Sequence, residues 1–318
     1  MARQTEIGKA FEYACLNAIF LSLKSQQEVV VEKSKALQGA EDFYRTLDEK
    51  TRTKLDKGAN AAIKTLMRLE PQLSYHSGNE PLFLVIQEDK RGQKGDVRDI
   101  LTIRKQNEWE VGISCKHNHT AVKHSRLSAV LDFGNEWFGI PCSNQYFSSI
   151  QSLFQELKVM RQKGALWKEV ENKSTRFYVP LLNAFIKEVK RLDSKNQGII
   201  PKRLMEYLLG RNDFYKIITN DKKKVTRVQA FNIHNTLNRP SGNEKPQLKL
   251  PQIIMPDKIF DISYKPNSDN TIIVTCNNGW AVSLRIHSAS TKVEASLKFD
   301  VKLIGIPPSL YSHDEPWE

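Results

Sequence analysis

The sequence predicts an α/β fold with a β-rich C-terminal part, on three observations. Three strand-like runs follow one another at 82–87, 97–104 and 109–116. Apolar residues recur at helical spacing over 5–24, 144–163 and 175–193. Beyond residue 258 the apolar period becomes two, as in strands with one buried face.

In the first helix Ile7, Phe11, Ala14, Cys15 and Ala18 form one apolar stripe, and Gly8 and Glu12 stack on an adjoining face. Residues 34–71 read as two surface helices broken near Gly58, with Pro71 ending the second. Leu82-Phe83-Leu84-Val85-Ile86 suits a strand buried on both faces. The basic, glycine-punctuated loop 90–95 leads into a hairpin. A helix is predicted over 120–138, closed by Pro141, and another from Pro201 to Leu209. Pro240, Pro246, Pro251 and Pro256 mark 235–258 as a loop or inter-domain connection. Strands are predicted at 259–264, 271–276, 280–287 and 293–303, with a hairpin turn at Asn278-Gly279. The predicted division is therefore 1–234, 235–258 and 259–318.

Hydrophobic residues make up 40% of the 318, enough for a real core. Lys and Arg outnumber Asp and Glu by 48 to 36, and a net charge of +12 points to a polyanionic partner, nucleic acid before membrane. Residues 187–227 hold 12 Lys or Arg against 5 Asp or Glu, with Tyr207, Phe214 and Tyr215 interspersed. A DNA-backbone surface and a solvated charged face would both look like this. The four cysteines form no CxxC pair and fit reduced thiols in a cytoplasm. The apolar stretch 14–23 is too short to span a bilayer.

The hairpin carries the chemistry. Trp109, Val111, Ile113 and Cys115 share its apolar face; Glu110, Gly112, Ser114 and Lys116 share the other. Asp99 opens the partner strand, so an aspartate and a lysine stand side by side, as a metal-dependent phosphodiesterase requires. Mg²⁺ takes oxygen ligands, usually one or two carboxylates with waters and substrate phosphate. Asp99 can supply one carboxylate and the backbone carbonyl of Cys115 another oxygen; Lys116 can contact the attacking water and the phosphate. Asp96 is an alternative to Asp99, less favoured because no apolar strand follows it directly. After Lys116 come His117, His119, Lys123, His124 and Arg126, with no acidic residue among them. This is a cationic rim for DNA, or a plain polar loop and helix start. Arg285 and His287 fall on one polar strand face and are candidates for reading bases or contacting phosphate.

An aspartate followed after fourteen residues by Ser114-Cys115-Lys116 resembles the PD-(D/E)XK nuclease motif. The longer stretches GDVRDILTIRKQNEWEVGISCKHNHTAVKHSRLS, DFYKII and GWAVSLRIHSASTKVEASLKFDVKLIGIPP resemble type II restriction endonucleases of the HaeIII kind over essentially the whole chain. The resemblance implies a PD-(D/E)XK core, a mixed sheet flanked by helices with helical insertions, and a β-rich part for DNA recognition. It also implies a bacterial cytoplasmic enzyme that cuts double-stranded DNA at the palindrome GGCC to blunt ends, with Mg²⁺ and a protecting methyltransferase. A palindromic target implies a homodimer. One departure is plain: Ser114 stands where the motif has a carboxylate. Glu110 lies ~13 Å further along the strand. Glu12 is the favoured substitute, because GKAFEYA resembles the superfamily's opening helix, where a glutamate faces the site.

Overall fold

The computed structural model describes residues 2–74, 80–88, 96–118 and 121–318, and the loop predicted at 90–95 lies outside them. Within that span the chain forms two compact units. The first comprises residues 1–120, 210–254 and 309–318; the second comprises 121–209 and 255–308. These units do not follow the sequential division drawn above. The chain leaves the first unit after its fourth strand and returns twice, which composition does not reveal.

The first unit holds a seven-stranded mixed sheet. In chain order its strands are β1 (Val29–Val31), β2 (Leu82–Ile86), β3 (Ile100–Arg104), β4 (Trp109–His117), β6 (Phe214–Asn220), β7 (Val225–Phe231) and β12 (Tyr311–Pro316), which is also their spatial order. β1–β2 and β4–β6 pair parallel, and the other neighbours pair antiparallel. The three consecutive strand-like runs are thus β2, β3 and β4, hydrogen-bonded side by side. β2 is fully buried on one face and half-buried on the other, rather than buried on both.

Helices α1 (Ala2–Leu23), α2 (Lys35–Thr46), α3 (Glu49–Leu69) and the single turn α4 (Pro71–Ser74) complete this unit. Phe11, Cys15, Ile19 and Leu23 of α1 are fully buried in one core with Ile113 and Cys115 of β4 and Tyr215 and Ile217 of β6. Burying a large apolar side chain of this kind stabilises by roughly 1.5–3 kcal/mol. This packing fixes α1, and with it Glu12, against the sheet.

Two expectations are corrected here. The break after α2 falls at Leu47-Asp48, where Asp48 caps α3, and not at Gly58. α3 runs through Gly58 because the glycine answers a packing need: a Cβ there would stand 2.6 Å from Thr219 Cγ2. α3 is also no surface helix, since Leu55, Ala59, Ala62, Ile63, Leu66 and Leu69 lie in the core. α3 does end before Pro71, as expected, with Glu70 as its cap, and Pro71 begins α4.

The second unit holds a five-stranded antiparallel sheet, in the order β5 (Ala121–Ser128), β11 (Ser296–Gly305), β10 (Ala281–His287), β9 (Thr271–Cys276) and β8 (Ile259–Tyr264). Its helices are α5 (Phe133–Phe138), α6 (Asn144–Gln162), α7 (Val179–Lys195) and α8 (Ile200–Leu209). Leu297, Phe299 and Val301 are buried, as the period-two reading requires. Asn278 and Gly279 take φ of +56° and +80°, the two left-handed residues of the tightest hairpin turn.

The helix predicted over 120–138 is corrected. Residues 121–128 form β5, which pairs with β11 along its length, and only Phe133–Phe138 is helical. Ser125 and Leu127 are buried at strand spacing, while Val130 is 90% exposed and supports no helical stripe. The stretch 235–258 carries no helix or strand of the sheets. Its Leu237 and Leu250 are nevertheless buried in the first unit's core, so up to residue 254 it is a packed loop and not a free connection. β12, grouped by sequence with the C-terminal strands, belongs to the first sheet instead.

Candidate active site

The site is built where β3 begins and β4 ends. Asp99 precedes β3 but is already held by the sheet. Its N–H donates to the Ile113 carbonyl at 2.8 Å, and its carbonyl accepts from the Gln87 N–H at 2.9 Å. The β3–β4 register begins with Ile100 opposite Ile113, and the Asp99 side chain meets the residues of β4 just beyond that pair. Three donors converge on Asp99 Oδ2: Cys115 N–H at 2.7 Å, Ser114 Oγ at 3.2 Å and Lys116 Nζ at 3.2 Å. Asp99 Oδ1 accepts no hydrogen bond among the described residues. Ser114 is therefore spent on orienting Asp99.

Burial opposes the Lys116 charge, but Asp99, by Coulomb attraction and hydrogen bond, outweighs it and holds the ammonium above its ordinary range. Glu12 lies 6% exposed on α1. Burial first, then the charge of Asp99, pushes its carboxyl up to about 8; Lys9, whose Nζ donates to Glu12 Oε2 at 3.1 Å, and Lys116 act the other way. Two carboxylates within electrostatic reach of each other resist sharing their negative charge in a desolvated space, and a cation relieves both. Hard oxygen donors of this kind fit Mg²⁺. Among the described residues no cluster of three His, Cys, Asp or Glu side chains could hold a metal, so main-chain or solvent oxygens must complete any such site. Burial, then its neighbour Cys15, keeps the Cys115 thiol well above its ordinary range.

The other acidic candidates are engaged elsewhere. Asp96 and Glu110 both clasp Arg98, whose Nε and Nη2 reach Asp96 at 2.8 Å and whose Nη1 reaches Glu110 at 2.5 Å. The Arg98 side chain crosses Gly112, where a Cβ would stand 1.9 Å from Arg98 Cδ.

Sequence reasoning missed Lys216. It is 4% exposed on β6, paired in register with Ser114. Burial, then the charge of Lys116, draws its ammonium down to about 7, with Asp99 opposing. Its signal lies in the order of residues: Lys216 interrupts the apolar run Phe214-Tyr215-Lys216-Ile217-Ile218, whereas a count of charges over 187–227 merges it with the basic residues around it. The aromatic residues of that stretch are not a stacking surface for bases. Phe214 stacks on Phe231 at 4.8 Å, Tyr207 on Trp137 at 4.9 Å, and Tyr215 donates from the core to Glu70 at 2.6 Å.

A scan of family models matches residues 8–307 to the HaeIII restriction endonuclease. The chain belongs to the HaeIII restriction endonuclease family. Among curated proteins it is 42% identical over 316 residues to the type II restriction enzyme HaeIII of Haemophilus aegyptius, covering 99% of each chain. No solved structure matches. The chain is thus a type II restriction endonuclease, and its work is site-specific cleavage of double-stranded DNA. The matched span includes Glu12, Asp99, Lys116 and Lys216.

The residues predicted to hold DNA are placed in both units. His117 ends β4, its ring 6.2 Å from that of Phe11 and its Nε2 3.2 Å from Asp221 Oδ1. His119 lies outside the described residues, as do the side chains of Lys123 and His124, whose backbones belong to β5. In the second unit the sheet register aligns His287, Lys298 and Arg126 in one row, and Arg285, Asp300 and His124 in the next. Arg126 Nη1 is 2.5 Å from Glu294 and 2.9 Å from Ser296 Oγ. The Arg285 side chain is half exposed and lies 3.4 Å from Asp300. No helix of the described residues is long and apolar enough to cross a membrane.

Proposed function

We propose that the cleavage chemistry is that of a PD-(D/E)XK site centred on Asp99, using Mg²⁺, in a cytoplasmic enzyme. The observation that carries this is the convergence of Ser114, Cys115 and Lys116 on one oxygen of Asp99, with the buried Glu12 beside them. Asp99 and Glu12 would hold the metal, with the Cys115 carbonyl as a further oxygen. Bound there, Mg²⁺ supplies charge neutralisation at the scissile phosphate and a water that is nucleophilic at neutral pH. Lys116 orients that water and donates to the phosphate oxygens. Ser114 and the Cys115 N–H keep Asp99 from turning, so the in-line geometry is set before DNA arrives.

The target proposed by similarity is GGCC, cut centrally to blunt ends with 5′-phosphates by a homodimer. In this reading Arg285 and His287 would meet base edges or phosphate, and Arg126, Lys123, His124, His117 and His119 the backbone. Asp99→Ala and Lys116→Ala are each expected to abolish cutting while salt-sensitive DNA binding stays largely intact, measured by plasmid digestion and fluorescence anisotropy on the same preparations. Full activity in either variant would refute the site.

A further inference from the structure

The second unit's sheet carries a row of basic residues on the face away from its helices. Leu297 and Phe299 of β11 are buried, and the Phe299 ring packs on Phe185 of α7 and Trp137 of α5, with centroids 5.3 and 6.2 Å apart. Lys298, between them in the strand, is therefore on the opposite face. The register sets it directly between Arg126 on β5 and His287 on β10.

Like charges directly opposite one another destabilise a sheet. The two carboxylates that act on Lys298 are both engaged with arginines: Glu294 lies 2.5 Å from Arg126, and Asp300 lies 3.4 Å from Arg285. Among the described residues the Lys298 ammonium has no ion pair of its own. Burial, then the charge of Arg126, draws it below its ordinary range, and an arriving anion would relieve both effects. Beside the row, Arg126 and Arg161 of α6 line a cavity of about 260 Å³ with Glu294, Ala295 and Ser296.

Width decides which part of DNA such a face can meet. Five strands span roughly 19 Å from first to last, whereas the major groove of B-DNA is about 12 Å wide. The whole face is too broad to enter the groove, but it can lie against the sugar-phosphate backbone.

We propose that Lys298, flanked by Arg126, holds the phosphate backbone of DNA, and that this row positions the duplex without reading its sequence. The proposal deepens, and rests on, the reading that the second unit meets DNA. Lys298 is a residue that the charge pattern of the sequence did not single out, since it alternates with apolar residues in an ordinary half-buried strand.

The test is fluorescence anisotropy on the full chain in EDTA, with one duplex containing GGCC and one lacking it, over about 50 to 200 mM salt. Losing one charge-assisted contact costs about tenfold. Lys298→Gln is expected to weaken binding by roughly that factor on both duplexes and to reduce the salt slope by about one. Glu294→Gln removes the carboxylate that competes with phosphate for Arg126, and it should tighten binding to both duplexes by up to about fivefold. A gain cannot come from a damaged fold, so this variant decides if Lys298→Gln does not fold. A loss below about threefold in Lys298→Gln, or an unchanged salt slope, overturns the proposal. A loss confined to the GGCC duplex also overturns it, since Lys298 would then read a base. Equal or weaker binding by Glu294→Gln overturns it as well. If wild type binds both duplexes in a salt-sensitive way and Lys298→Gln is indistinguishable from it, only the role of this row falls. If wild type binds neither, the reading that the second unit meets DNA falls with it.

Discussion

Glu12 has the most strongly raised carboxyl of the site, and the reason is burial beside Asp99 rather than any single hydrogen bond. This has a signed consequence for stability. The unfolded carboxyl loses its proton near 4.5, whereas the folded one holds it to about 8. In metal-free protein the contribution of Glu12 is therefore full below pH 4.5 and declines as pH rises towards 8. Chemical denaturation in EDTA should show wild type losing stability relative to Glu12→Gln between pH 5 and pH 8. A pH-independent difference would contradict the assignment. Glu70, pushed up to about 7 chiefly by burial, contributes in the same direction but lies outside the site, so the comparison must be made between these two proteins. Mg²⁺ should stabilise wild type more at pH 8 than at pH 5, because it needs the ionised carboxylate.

At the scale of elements, the β3–β4 hairpin depends on Arg98 lying flat across Gly112. Gly112→Ala puts a methyl group into the arginine stem and should loosen its grip on Asp96 and Glu110, one residue before Asp99. Overpacking of this kind costs about 1–3 kcal/mol, so a lower denaturation midpoint and slower cleavage are expected together. Unchanged values would show that Arg98 can move aside freely. This hairpin was legible in the sequence because its two faces differ in polarity at every position from Trp109 to Lys116. β8 to β11 of the second unit were legible for the same reason. β5 was not: its apolar residues are few, and its partner β11 lies about 170 positions away. Glu12 was legible only through resemblance, since its burial depends on how α1 meets the sheet. Lys216 was hidden because a count of charges does not separate a buried lysine from the exposed Lys222-Lys223-Lys224 turn that follows it.

Over the whole molecule, the charge of +12 sets the terms on which DNA is met. Binding should weaken steeply with salt, and the logarithm of affinity should fall linearly with the logarithm of salt concentration. If Arg285 reads a base edge, Arg285→Ala should cost about 1–3 kcal/mol on the cognate site and relax discrimination there. A uniform loss on all sequences, with the salt slope reduced by about one, would make it a phosphate contact instead. The central claim, sequence-specific cleavage from the Asp99 site, is tested most directly by digesting a plasmid of known sequence with Mg²⁺ and sequencing the ends produced by wild type and by Asp99→Ala. The expected result is a discrete set of blunt fragments from wild type, every end falling within GGCC, and intact plasmid from the variant. A smear or uncut DNA from wild type, or the same fragments from Asp99→Ala, would contradict it.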